Sequence, residues 1–220
     1  RFSGANPNNY VCFGSDATTC PADNLYRIIG VFNGKIKLIK NISIGNMAWD
    51  SGNNNTWSST RLNTGTLNGT YLSGLGTWSN MIAEHEWKVG GMAWSNSNTA
   101  KQYYATELGN SITYRAKIGL MYVSDYGYAA SPENWNTTLY NYANDTNRNN
   151  NWMYLGTDEW TISRNSSVAS NVFGVSNSGF VSYSNVTNTN AVRPSFYLES
   201  SVEISSGTGT STNPFVLSVN

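Results

Sequence analysis

The chain has 220 residues, only 12% of them charged, and 13 basic residues balance 13 acidic ones. That is about half the usual share of charge. With no basic stripe, the sequence argues against nucleic-acid binding through phosphates. No stretch approaches the roughly 18 apolar residues that would cross a bilayer, so this segment is not expected to insert into a membrane. The 8 Trp, 14 Tyr and 7 Phe can furnish a core, while Asn, Ser and Thr must supply most of the polar surface.

Residues 1–24 are rich in Asn and Gly and read as an N-terminal loop, with residues 25–220 as the domain proper. The start at Arg1, with no signal-like stretch, reads as a mature or trimmed ectodomain. Cys12 and Cys20 lie eight apart in this loop. An even count at short spacing in an exported-looking chain predicts a disulfide, with two free thiols as the alternative. A metal site lacks ligands, because the chain has one His. The run LYRIIGVF-NG-KIKLIK predicts a β-hairpin, since Asn33-Gly34 suits a turn whose two central residues need positive φ.

Residues 41–58 read as a loop. Trp57, Arg61, Leu62, Leu67 and Tyr71 suggest short helical turns, and Trp78 to Lys88 a helix with Met81, Ile82 and Trp87 on one face. A long loop follows over 89–116, with an edge strand at Lys101 to Thr106. Lys117 to Val123 reads as a buried strand, and Ser124-Asp125 as the cap of a short helix reaching Ala130. Residues 131–151 form a long polar insertion. The remainder reads as β: Trp152 to Leu155, Glu159 to Arg164, a hairpin of Val172 to Ser176 and Phe180 to Ser184 around Asn177-Ser178-Gly179, then Val192 to Leu198 and Pro214 to Val219.

In that hairpin, alternation sends Phe173, Val175, Val181 and Tyr183 inward. Gly174, Ser176, Asn177, Phe180, Ser182 and Ser184 then point the other way. With Asn165, Ser167, Ser170, Asn185 and Thr187 they form the candidate ligand-binding face, and Phe180 is its expected aromatic anchor. Arg193 sits inside an apolar run and is expected to be buried and paired, since an unpaired buried charge is costly. Pro194 holds the residue before it extended.

No catalytic set emerges. His85, between Glu84 and Glu86, reads as a surface or helix-capping residue, which leaves no serine-type triad and no His-rich zinc site. Phosphate-loop and dinucleotide glycine patterns are absent. The spacing of Glu84, Glu86, Glu107, Asp158 and Glu159 selects no carboxylate pair. Asn144, Asp145, Asn149 and Asn150 offer oxygens without the spacing of a calcium loop, and read as a solvated polar loop. Neither an enzyme nor a cofactor nor a metal is expected.

Four pieces taken in order carry a resemblance: W-x-x-x-R-L-N…L-N-x-x-Y-L (57–72), KIGLMYVSDYGYA (117–129), WTISRNSS…VFGVSNSGFVS (160–182) and VRPSFYL (192–198). This series resembles a C-type lectin-like domain, and more closely exported bacterial domains that end in a VRP-type strand. That group includes formylglycine-generating enzymes and the variable proteins of diversity-generating retroelements. The resemblance implies an α+β fold with small antiparallel or mixed sheets, two short helices and long loops. It implies that residues before the VRP close face outward and bind ligand, hypervariably in the retroelement members. The reading is a secreted or surface-displayed recognition domain, extracellular, with its binding face at about 160–190. Its partner would be a protein or glycan on another cell or phage. The alternative is a structural surface or pilus-associated module without a specific ligand. The formylglycine activity does not carry over, because its cysteine belongs in the C-terminal part and both cysteines here are N-terminal. The sugar-binding triplets of calcium-dependent lectins are also absent.

Overall fold

A computed structural model describes residues 1–219. The chain is mixed α+β, with several small sheets and few helices. The first half supplies β1 (Tyr10–Cys12), β2 (Leu25–Phe32), β3 (Lys35–Lys40), β4 (Asn46–Ala48), a π-helical segment Leu62–Tyr71 running into α1 (Leu72–Gly74), and β5 (His85–Lys88). Then come α2 (Ala100–Gly109), β6 (Thr113–Ala116), β7 (Ile118–Gly119), α3 (Val123–Ala129) and α4 (Asp145–Asn149). The last third supplies β8 (Glu159–Arg164), β9 (Asn171–Val175), β10 (Val181–Asn185), β11 (Thr189–Ala191), β12 (Ser195–Tyr197), β13 (Val202–Ser206) and β14 (Val216–Val219).

Two five-stranded sheets organise these pieces, in the orders β1-β2-β3-β12-β7 and β10-β9-β8-β11-β4. The hairpin at Asn33-Gly34 forms as its turn chemistry predicts, with φ of 50° and 77° at the two residues. In the VRP close, β12 inserts between β3 and β7, and all of 191–198 is buried. Trp49, Trp57, Trp87, Trp160 and Phe196 fill the main core. A second cluster around Tyr103, Tyr126, Tyr142 and Phe173 fills the space between the helices and the β8–β9–β10 face. The Cys12–Cys20 disulfide is formed.

Four cations lie inside, one of which, Lys40, donates to the Asp23 carbonyl. Arg193 is clamped by Glu159 through bonds of 2.6 and 2.8 Å and also donates to the Met153 carbonyl at 2.7 Å. Lys37, with no exposed surface, donates to Asp125 at 2.5 Å. Arg27 has only neutral acceptors, Asn9, Asn6 and the Pro7 carbonyl, and lies over the rings of Tyr10 and Trp152. Burial lowers its pKa to about 10, and it remains charged at neutral pH. Several Asn residues are likewise internal. The Asn55 amide donates to the carbonyls of Asn165, Val168 and Asn171, bridging a loop to the second sheet.

Several sequence expectations are corrected. Residues 1–24 are woven into the fold rather than looped away: β1 pairs with β2, and Val11 and Phe13 are fully buried. The helix expected over Trp78 to Lys88 is a 3-10 segment, Gly76–Met81, followed by strand β5. The alternation decides it: Trp87 is buried, Glu86 exposed, and the His85 ring stacks on Tyr197 at 3.8 Å. Residues 101–106 are not an edge strand but part of α2. Thr99 and Gln102 make a capping box ahead of it, with the Thr99 N–H donating to the Gln102 side chain at 2.7 Å, and Ala100 and Tyr103 are buried three apart. Trp152 to Leu155 is a turn rather than a strand, with Trp152 and Met153 buried. The 131–151 insertion is folded: it contains α4 and buries Leu139 and Tyr142. Its candidate oxygens serve that structure, since Asn144 caps α4 by accepting from the Asn147 N–H, and Asp145 pairs with Arg148.

Candidate functional site

The β9–β10 hairpin forms the open edge of the second sheet. Its register sets Val181 opposite Val175, Ser182 opposite Gly174, Tyr183 opposite Phe173 and Ser184 opposite Val172. The turn closes through Gly179, at φ 95°, whose N–H donates to the Ser176 carbonyl at 2.8 Å. Three side chains from elsewhere fix the turn. Tyr126 donates its hydroxyl to the Gly179 carbonyl at 2.6 Å, Tyr154 donates to the Asn177 carbonyl at 2.5 Å, and Asp158 accepts the Asn177 N–H at 2.8 Å. A turn held at this many points is presented in one shape, which lowers the ordering cost of binding.

Beside it lies a shallow depression of about 190 Å³. Five of the expected positions meet there: Gly174, Ser176, Phe180, Ser182 and Ser184. Asp158 and Asn190 complete its polar lining. At the same end, four aromatic rings make a chain of edge contacts. Trp94 meets Tyr183 at 5.5 Å and Tyr140 at 6.2 Å, and Tyr140 meets Phe180 at 5.5 Å. Tyr140 and Tyr183 remain 45% and 44% exposed.

The other expected positions fall elsewhere. Asn165 is a correction: it is only 3% exposed, its carbonyl accepts from Asn55, and its side-chain oxygen accepts the Ser167 N–H. Ser167, Ser170, Asn185 and Thr187 lie at the opposite, open end of the hairpin. There the Val186 N–H donates to the Ser170 carbonyl, and the Thr187 hydroxyl and N–H both donate to Asn185. Asn177 is exposed at the turn. Tyr183 is a second correction. It shares the inward face with Phe173, yet it is exposed: β10 is an edge strand, the Trp94 ring meets Tyr183 edge-on, and Tyr183 lines the depression as well. Phe180 is half-buried against Tyr140 rather than projecting alone.

Sequence reasoning missed Trp94, Tyr140, Asp158 and Asn190. No local period links positions so far apart. The available signal was aromatic residues in polar loops, at Trp94 and Tyr140, where no helix or strand pattern asks for them. Among the described residues no cluster of His, Cys, Asp and Glu could hold a metal ion. Among the described residues no helix is long and apolar enough to cross a membrane. Comparison with protein-family models, curated proteins and solved structures returned no match.

Proposed function

We propose that the chain is a recognition domain of C-type lectin-like fold, displayed outside the cell, which binds through the turn end of the β9–β10 hairpin. One observation carries the reading: five small or aromatic positions of the hairpin converge on one depression flanked by exposed rings. Rigid aromatic area beside small hydroxyl and amide groups is the composition adaptable paratopes use, because Tyr and Ser cost little entropy to order. The fixed turn and the free side chains divide the labour, so residues at the rim can change without disturbing packing. The disulfide fits maturation in an oxidising compartment. The partner this surface suits is a protein or glycan on another cell or phage.

The test is binding of fluorescently labelled domain to intact bacterial cells and to a glycan array. Ser182→Arg, Tyr183→Ala and Ser184→Arg are combined in the comparison variant. The expected result is binding by the parent and its loss in a variant that melts normally. Equal binding by both would place recognition elsewhere.

A further inference from the structure

A second cavity shares no lining residue with the hairpin depression. It measures about 690 Å³ and opens between the β2–β3 turn, β5 and the α2–α3 pair. That is the size of sites for small-molecule ligands. Phe32, Tyr104, Tyr122, Tyr197 and His85 supply aromatic walls. Val31 and Leu108 stand at the lining 62% and 57% exposed, so apolar surface there is open to a ligand.

What this environment accepts is visible in what it already holds. The guanidinium of Arg1 lies 4.5 Å from the centre of the Phe32 ring, 5.1 Å from Tyr128 and 5.2 Å from Tyr104, and donates to Asp125 at 2.7 Å. The Lys37 ammonium lies 4.5 Å from Tyr122 and 5.1 Å from Tyr197 and donates to the same carboxylate. Ring faces attract cations, most strongly where water is excluded. Asp125 is thereby fully engaged, since it also accepts the Tyr122 N–H at 2.9 Å. Burial works against its charge, but Lys37 and Arg1 outweigh it and hold its pKa below the usual range.

Glu107 lines the same cavity and has no cation. Its carboxylate is met by the Ser124 hydroxyl, the Ser124 N–H at 3.1 Å and the Ser163 hydroxyl at 3.5 Å, and by no Lys or Arg within ion-pair distance among the described residues. The lysines at the cavity are loosely occupied elsewhere, Lys35 with Glu199 at 3.8 Å and Lys88 with Glu86 at 3.9 Å. A carboxyl taken out of water without a counter-charge is costly. Burial accordingly pushes its pKa up to about 7.

We infer that this cavity is a binding site for a small organic cation, an alkylguanidinium or alkylammonium, with Glu107 as its counter-ion, the aromatic walls around its charge and Val31 and Leu108 against its alkyl chain. The two resident cations show that the walls tolerate such charge. The Glu107 carboxylate, hydrogen-bonded by serines but without a counter-cation, can accept a charge-assisted hydrogen bond from the ligand, and the volume is open with Arg1 in place. The site is independent of the hairpin reading.

The experiment is calorimetric titration at pH 8 with butylguanidinium, using butylurea as the neutral isostere. The parent should bind butylguanidinium and not butylurea. Glu107→Gln should weaken binding by about tenfold or more, the loss expected for a charge-assisted hydrogen bond. Tyr104→Ala, which removes a wall but no charge, should weaken it less. A thermal melt of each variant separates lost binding from lost folding. No heat at millimolar butylguanidinium, equal affinity for butylurea, or unchanged affinity in folded Glu107→Gln would each overturn the assignment.

Discussion

Arg193 and Lys37 are both buried cations paired with buried carboxylates, yet their surroundings differ. Arg193 meets Glu159 through both oxygens and a backbone carbonyl, at the seam where β8 and β11 lie side by side. Both residues are buried, and neither lines the hairpin depression or the larger cavity. Lys37 meets Asp125 through one bond, is surrounded by rings and sits behind a large cavity with a second cation, Arg1. The first arrangement has one geometry and no room for another, as befits a joint between strands. The second distributes two cations around one carboxylate and leaves volume beside them. Burial of a charge alone does not separate scaffold from site; the number of partners and the adjoining space do.

The comparison is broken most directly at the joint. Arg193→Ala leaves Glu159 charged and enclosed, and should cost about 3–5 kcal/mol. Phe196→Ala, which opens a hole in the packed core beside Phe13 and Tyr26, should cost a similar ~3–5 kcal/mol. Thermal melts that stay within error of the parent would show that the VRP strand is not the seam described. At the cavity the same kind of change should be milder. Lys37→Met leaves Asp125 paired with Arg1, so about 2 kcal/mol is expected, the worth of one hydrogen bond to a charged group. A loss as large as that of Arg193→Ala would erase the distinction.

A pH series sharpens the contrast. Glu107 has its pKa raised from 4.5 to about 7, chiefly by burial, with Asp125 adding to it and Ser124 and Lys37 opposing. The folded state therefore holds that proton more firmly than the unfolded chain between those values. Its contribution to stability is full below 4.5, falls as pH rises through the window and is lost above 7. Partial exposure of the residue reduces the effect to about 1–2 kcal/mol. Urea melts at pH 5 and pH 8 should show this fall in the parent and a smaller one in Glu107→Gln. Parallel curves for the two proteins would remove Glu107 from the account. The smallest effects belong to the hairpin rim: Ser182→Ala and Ser184→Ala should each shift stability by less than about 0.5 kcal/mol. A larger shift would make the rim part of the scaffold.

Legibility in the sequence followed distance along the chain. The Asn33-Gly34 hairpin and the bounds of β8 could be read because turn chemistry and apolar runs are local signals. Arg193 could be read as buried and paired, but not its partner 34 positions away. Trp78 to Lys88 was misread because apolar residues there fit a helical face as well as the alternation that β5 uses. The hairpin's period assigned each residue to a face, which is how Ser182 and Gly174 came together. It could not say what covers that face, so Tyr183 was placed inside. The rings of Trp94 and Tyr140 arrive from separate loops, and only the folded chain brings them to Phe180 and Tyr183. Asn was legible only as polar. A short amide serves equally at a surface or as a bridge between carbonyls, and Asn55 and Asn165 take the second role.

The pairing of Val11 with Phe215 has a mechanical consequence. The two segments run parallel, joined by the Phe215 N–H to the Tyr10 carbonyl at 2.8 Å and the Cys12 N–H to the Phe215 carbonyl at 3.0 Å. When the chain is pulled from both ends, and residues 1–4 have peeled from their contacts with Ile29, Ala129 and Trp152, the load runs along these strands rather than across them. Both bonds are then sheared together instead of opening one after the other like a zip. Resistance to force is set by the rate of unfolding rather than by equilibrium stability. A chain under tension would carry the load through this clasp, next to the Cys12–Cys20 crosslink.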